Sequence, residues 1–309
     1  MRVLFQGAGA IGLAGAALFT DAHEVAVAGR APASGPRASY PRRVGRPEPG
    51  GSTPEGARAG QRATEVAATR RVTVTDWAGA AGVWDLVVLS TRPGDLDPAV
   101  ASAIREIAPK SIAITSQVEG DLDRARSEFP AAEVVVLAPM FLSERLGEEA
   151  APDGREVRYW APADLPRFLL AGQREAVRRL VRGLGRLVLP APIAAAVVPP
   201  AVFIPYVAEL SIHGGNWARL KAHLHRPTQA AAEAVRARLG LPVPMSAVIA
   251  RGVLEAIEFA VPIDVTAYAG RHFGRHVDQT RNMLTGWGAG TNESPALEAQ
   301  IAALNRPRH

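Results

Sequence analysis

Residues 204–217, IPYVAELSIHGGNW, carry Tyr206, Glu209, His213 and Asn216 at steps of three and four within an otherwise apolar segment. On a helix those steps place all four on one face, with Glu209 and His213 one turn apart. A carboxylate beside an imidazole fixes the ring's tautomer and keeps a proton ready for transfer, which is the arrangement of a general acid. The neighbours Val207, Ala208, Leu210 and Ile212 are apolar, so the polar stripe points into a core, an interface or a site. The competing reading is a plain side-chain pair worth a few tenths of a kcal/mol. Gly214 and Gly215 follow at once and mark either a bend or the end of the helix.

A second constellation opens the chain. Gly7-Ala8-Gly9-Ala10-Ile11-Gly12 lies between the apolar run 1–6 and an Ala/Leu-rich stretch reaching about Thr20, which reads strand, tight turn, helix. In that context GxGxxG is the loop that cradles a pyrophosphate. Gly7 makes the turn, Gly9 clears space for the phosphates, Gly12 lets helix meet strand, and the helix N-terminus supplies N–H groups. The next strand ends VAVAGR, without the acid that would hold a ribose 2′-hydroxyl and with Arg30 in its place. A guanidinium there suits a 2′-phosphate, so the expected cofactor is NADP. Arg37, Arg42 and Arg43 could add to that site or belong to a solvated loop.

The elements that position these groups follow from the hydrophobic pattern. Runs at 85–90, 111–116 and 133–139 are continuously apolar and separated by helical lengths, which suits parallel strands covered on both faces. Further strands are expected at 70–77 and 157–162. Ahead of them, 31–69 is dense in Pro, Gly, Ser and Arg and reads as a long loop. Beyond about 165 the pattern turns helical. We therefore expect an α/β fold: a Rossmann-type doubly wound dinucleotide-binding domain over 1–165, followed by an all-α domain over 166–309 for substrate and dimer contacts.

Composition narrows the partners. No cysteine occurs, which removes disulfides, thiolate metal sites and cysteine nucleophiles. His272 and His276 form an i, i+4 pair, but no further ligand completes a set, so no metal is expected. Net charge is +5, carried almost entirely by arginine; without a basic motif interleaved with aromatics it favours a small anionic substrate over nucleic acid. No leader pattern and no clear membrane span stand out, and a cytoplasmic protein is expected.

With these residues in view, the chain resembles the ketopantoate reductase family, whose members join a Rossmann domain to a helical domain similar to that of 6-phosphogluconate dehydrogenase. The glycine loop matches the family letter for letter. DLVVLSTRPGDLDPAV resembles the segment in which a lysine follows the fourth strand, with Arg92 at that position. SQVEGDLD is similar to the family's Asn-Gly-x-Gly turn beside the nicotinamide, with Gln117 for the asparagine and Gly120 kept. GRHVDQTRNMLTG resembles a late helix in which Arg275 and Asp278 take the places of an arginine and a glutamate. The family's catalytic lysine falls near Pro205, with later asparagines near Glu209 and His213. No lysine lies between 111 and 220.

The resemblance implies an NADPH-dependent reductase of a small 2-oxo acid, ketone or imine, and a homodimer. With lysine missing, His213 is expected to donate the proton, oriented by Glu209, and Arg92 to hold a substrate carboxylate or the nucleotide. Tyr206, Asn216 and Asp278 would border the substrate, and Gln117 the cofactor. Two alternatives stay open: an opine-type dehydrogenase, and a non-catalytic NADP-binding sensor or scaffold.

Overall fold

The computed structural model describes residues 1–29, 37–43, 64–146, 156–161, 164–262, 264–274, 277–289 and 294–306. The first part runs β1 (Arg2–Gln6), α1 (Ala10–Phe19), β2 (Glu24–Ala28), β3 (Arg37–Arg43), β4 (Thr64–Arg71), β5 (Val74–Thr75), β6 (Leu86–Leu89), α2 (Pro98–Ile107), β7 (Ser111–Ile114), α3 (Asp121–Glu128) and β8 (Glu133–Pro139). It continues through β9 (Leu142–Arg145), β10 (Val157–Trp160), β11 (Phe168–Ala171), α4 (Arg174–Leu184) and β12 (Val188–Pro190). The remainder is helical: α5 (Ile193–Ile212), α6 (Trp217–Ala222), α7 (His225–Leu239), α8 (Ala247–Ala260), α9 (Val265–Gly274), α10 (Val277–Ala289) and α11 (Pro295–Leu304).

Strands order as β12-β11-β8-β7-β6-β1-β2-β5 in an eight-stranded sheet. All neighbours are parallel except β11 against β8. The continuous apolar runs behave as expected of strands buried on both faces. Val3, Phe5, Leu86 and Val88 pack with α1 and α4 on one side, while Leu4, Val87, Leu89, Ile112 and Ile114 pack with α2 and α3 on the other. The chain reverses its direction of winding between β1 and β6, which opens a crevice at the carboxyl ends of those strands.

Several expectations are corrected. The stretch 31–69 is not simply loop: β3 and β4 pair antiparallel from Arg37 opposite Arg71 to Arg43 opposite Thr64. They join β10 and β9 in a second, four-stranded sheet. The run at 157–162 therefore supplies β10 of this second sheet rather than a last strand of the main one. Of 70–77, only Val74 and Thr75 reach the main sheet. That sheet also carries on to Pro190, past the boundary expected at 165, and the helix at 174–184 packs on it. The pairing that ties the second sheet together, β3 with β10, sets Ala38 opposite Val157, over a hundred positions on, which local periodicity does not register.

The helical part is centred on α5, which packs against α7, α10 and α11. Three prolines, Pro199, Pro200 and Pro205, lie inside it, and each removes one N–H from the helix ladder. The Pro205 carbonyl accepts a side-chain hydrogen bond from Gln300 Nε2 at 2.8 Å. At 20 residues, α5 is long and apolar enough to cross a membrane by length and composition alone. Its contacts with the surrounding helices are those of a central core helix.

Candidate active site

At the crevice, β1 hands over to α1 through the glycine loop. Gly7 sits at φ +89° and donates its N–H to the Ala28 carbonyl at 2.8 Å. A Cβ on Gly12 would lie 2.0 Å from the Gly7 carbonyl oxygen, so only glycine closes helix onto strand here. A Cβ on Gly9 would meet nothing within 4 Å. Gly9 is the N-cap of α1 and has no side chain to satisfy the first turn's N–H groups. Tight at 7 and 12, open at 9, with free donors beyond, the loop fits a dinucleotide pyrophosphate.

Two cavities meet at this edge and share Thr91 and Asp95. The first, about 550 Å³, is lined by Gly7, Ala8, Gly9, Ala28, Gly29, Trp77, Asp97 and Arg145, among others. The second, about 560 Å³, lies between the sheet edge and the helical part. Ile11, Ser90, Arg92, Thr115, Ser116, Gln117 and Val118 form one wall, and Pro200 and Ile204 of α5 with Gln279, Thr280 and Met283 of α10 form the other. Gln6 couples them: its side-chain oxygen accepts from Thr91 N at 3.1 Å, and Ser90 Oγ donates to its carbonyl.

Arg92 follows β6 and reaches the second cavity already half engaged. Its Nε and one terminal nitrogen donate to the Asp121 carboxylate at 3.0 and 3.2 Å. Asp121 is buried at the start of α3, after Gly120 at φ +79°, and also accepts from Ser116 Oγ. Hydrogen bonding to Asp121 pushes the Arg92 pKa up, so the guanidinium keeps its charge. With one edge fixed by Asp121, the remaining terminal nitrogen lies 4.0 Å from Asp95 Oδ2, so a ligand anion at that edge would have to share the guanidinium with Asp95. The hydroxyls of Ser90, Thr115 and Ser116 donate to the Gln6 carbonyl, the Leu89 carbonyl and Asp121 respectively. Toward the cavity they therefore offer lone pairs.

The structure separates the remaining candidates from this place. Glu209 is 1 % exposed and accepts four hydrogen bonds: from Arg226 Nε at 2.9 Å and its terminal nitrogen at 2.7 Å, from Gln300 at 3.1 Å, and from His213 Nε2 at 3.1 Å in the matching tautomer. His213 caps α5 and stacks on His223, ring centroids 4.6 Å apart. Neither residue lines either cavity. His213 lies nine residues beyond Ile204, roughly 13 Å along the helix axis. The members of the polar stripe have partners within the helical part. Tyr206 shares a hydrogen bond with Thr228 at 3.0 Å, and burial raises its pKa. Asn216 caps α6 through Arg219 N at 2.9 Å. Asp278 is exposed and paired with Arg281, while its neighbours Gln279 and Thr280 line the cavity. Ala10 begins α1 at the loop's rim. Arg30, Arg275 and His276 lie outside the described residues, as does the His272 side chain.

Trp77 and Arg145 had no signal in the sequence. Arg145 ends β9 in the second sheet and enters the first cavity because that sheet packs against α1.

No family model and no curated protein sequence matches the chain. Solved structures do. A dimeric ketopantoate reductase from Staphylococcus aureus superposes with TM-score 0.62 at 14 % identity, over 98 % of this chain and 97 % of that one. A PanE/ApbA family ketopantoate reductase from Ralstonia eutropha gives 0.60 at 18 % identity, over 98 % and 97 %. The chain has the ketopantoate reductase fold. A D-mandelate dehydrogenase in complex with NADH is similar to the same degree, TM-score 0.61 at 13 % identity over 98 % and 97 %, so the fold hosts more than one oxidoreductase.

Proposed function

We propose that this protein is an NADPH-dependent reductase of a small 2-oxo acid. The observation that carries the proposal is the pair of adjoining cavities, one at the glycine loop and the other holding Arg92, which share Thr91 and Asp95. Two of the solved structures of this fold are a ketopantoate reductase and a D-mandelate dehydrogenase with NADH, which supports oxo-acid chemistry. Choice of NADP rests on Ala28 and Gly29, which line the first cavity where an NAD site would carry an acid, on Arg145 beside them, and on Arg30 in the sequence.

A bound nicotinamide supplies the hydride. The chain's part is to hold the substrate carboxylate on the outer edge of Arg92, in competition with Asp95, and the carbonyl oxygen near the Gln117 amide. Apolar Ile11, Val118, Ile204 and Met283 exclude bulk water from the rest of the cavity. No histidine, lysine, tyrosine or glutamate is among the described residues lining the second cavity, so the proton comes from a water molecule that donates one O–H to a lone pair of Ser116 and the other to the carbonyl oxygen, the hydroxide left behind being reprotonated from solvent. Glu209 and His213 are assigned to holding the helical part together.

That same lack of a general acid favours a second reading, an NADP-binding sensor without turnover. Titrating the purified protein with NADPH and NADH by tryptophan fluorescence, then assaying NADPH oxidation against a panel of 2-oxo acids with and without an amine, separates them. The proposal expects tighter NADPH binding and oxidation with an oxo acid alone. Oxidation only with an amine present points to an opine-type dehydrogenase, and tight binding without oxidation to the sensor. Preference for NADH defeats the cofactor assignment.

A further inference from the structure

Three hydroxyls at the sheet edge face the second cavity with their protons already committed. Ser90, Thr115 and Ser116 donate to the Gln6 carbonyl, the Leu89 carbonyl and Asp121, so toward a ligand they accept rather than donate. Charge leans the same way. Arg92 and Asp95 are the charged residues in the described lining, and the guanidinium is shared between the Asp121 carboxylate at 3.0 Å and Asp95 Oδ2 at 4.0 Å. One cation thus faces two carboxylates. Asp95 is held there by a short 3₁₀ turn, Pro93–Asp95, in which its N–H donates to the Arg92 carbonyl at 3.0 Å, Pro93 is buried and Gly94 lies against the Arg124 side chain of α3. A ligand with a carboxylate alone must compete with Asp95 for Arg92. A ligand that also carries a positive nitrogen beside its carboxylate satisfies both, its N–H reaching Asp95 or a hydroxyl lone pair.

We infer that this site reduces 2-imino acids in their protonated, iminium form, in preference to 2-oxo acids of the same carbon skeleton. The inference rests on the nicotinamide-dependent reduction proposed above and moves the reacting bond from C=O to C=N. A second observation carries it independently: the described lining of the second cavity holds no histidine, lysine, tyrosine or glutamate. Hydride addition to a carbonyl carbon places negative charge on oxygen, which then needs a proton from a donor in the site. Addition to the carbon of a protonated C=N bond sends the π pair to nitrogen and gives a neutral amine directly. No proton moves in that step. The amine afterwards takes a proton from water and leaves as an amino acid, the hydride having carried two electrons from the reduced cofactor. Asp95 favours the charged form of the nitrogen that the step requires. Cyclic 2-imino acids, in which a terminal amine has closed on the oxo carbon, suit the cavity further, because Ile204 and Met283 give their ring methylenes an apolar wall.

Steady-state assays with NADPH on the full chain compare 1-pyrroline-2-carboxylate with 2-oxopentanoate. The imine should show a kcat/KM at least about tenfold higher, the size of one charged hydrogen bond. Asp95→Asn should move the two substrates in opposite directions, lowering the imine about tenfold and raising the oxo acid up to about threefold as Arg92 loses a competitor. Asp95 is largely exposed, so the variant's thermal melting should match the wild type's. Calorimetry on the protein saturated with NADP⁺ reads the same contact without turnover. Racemic proline should bind at least about tenfold more tightly than its ether analogue, tetrahydrofuran-2-carboxylate, and Asp95→Asn should remove the difference. Preference for the oxo acid, an Asp95→Asn effect equal on both substrates, or proline no tighter than the ether overturns the inference. Reduction of the oxo acid alone overturns it and leaves the proposed function standing, whereas NADPH binding with neither compound reduced overturns both.

Discussion

Among the described residues the same clasp occurs twice. Near the sheet edge, Arg92 forks onto the buried Asp121 with Ser116 as a further donor. In the helical part, Arg226 forks onto the buried Glu209, with His213 and Gln300 as further donors. Each arginine is about a third exposed, at 31 % and 36 %, and each acid side chain is nearly sealed, at 3 % and 1 %. Chemically the two are close to identical. What differs is address: Arg92 borders a cavity at the crevice between β1 and β6, and Arg226 borders neither cavity. On the function proposed above, an ion pair of this kind serves a ligand only where the fold leaves room beside it.

Removing the acids should show the larger effects. Glu209→Ala strands the Arg226 fork and the Gln300 amide, and should cost roughly 3–5 kcal/mol of stability; chemical denaturation checks this. NADPH affinity of the folded protein should be unchanged. Asp121→Ala should cost about 2 kcal/mol, because no fully buried amide like Gln300 is stranded with it, but should also disturb oxo-acid turnover. If Glu209→Ala abolished turnover at full stability, the two clasps would have to exchange roles.

Removing the donors is gentler. Arg92→Gln should lower kcat/KM for a 2-oxo acid by about ten- to a hundredfold, as expected for one charged hydrogen-bonded contact, with the loss mainly in KM and NADPH binding within about threefold. His213→Ala should give the smallest change, under about 1 kcal/mol in stability and turnover within about twofold of wild type. A large fall in turnover for His213→Ala, with stability kept, would restore it as the proton donor and break the comparison.

The sequence carried the glycine loop fully, because three glycines at fixed offsets between a strand and a helix state their own geometry. It carried the parallel strands for a similar reason: LVVL and EVVVLAP are too apolar to face water on either side. It also drew attention to Glu209 and His213, and the i, i+4 contact is there. The reason for the contact was hidden, since the deciding partners, Arg226 and Gln300, lie 17 and 91 residues away. Asp121 likewise stands 29 residues from Arg92. The second sheet was missed because β3 is rich in arginine and proline and finds its parallel neighbour β10 over a hundred residues later. Arg145 could not be placed without that sheet.

Hydrogen exchange followed by mass spectrometry, with and without NADPH, tests the central claim without knowledge of the substrate. Protection is predicted at the start of α1, over 9–13, and in the loops at 90–95 and 115–118, with 205–216 unchanged. Protection over 205–216, with the glycine loop exchanging as before, would contradict it.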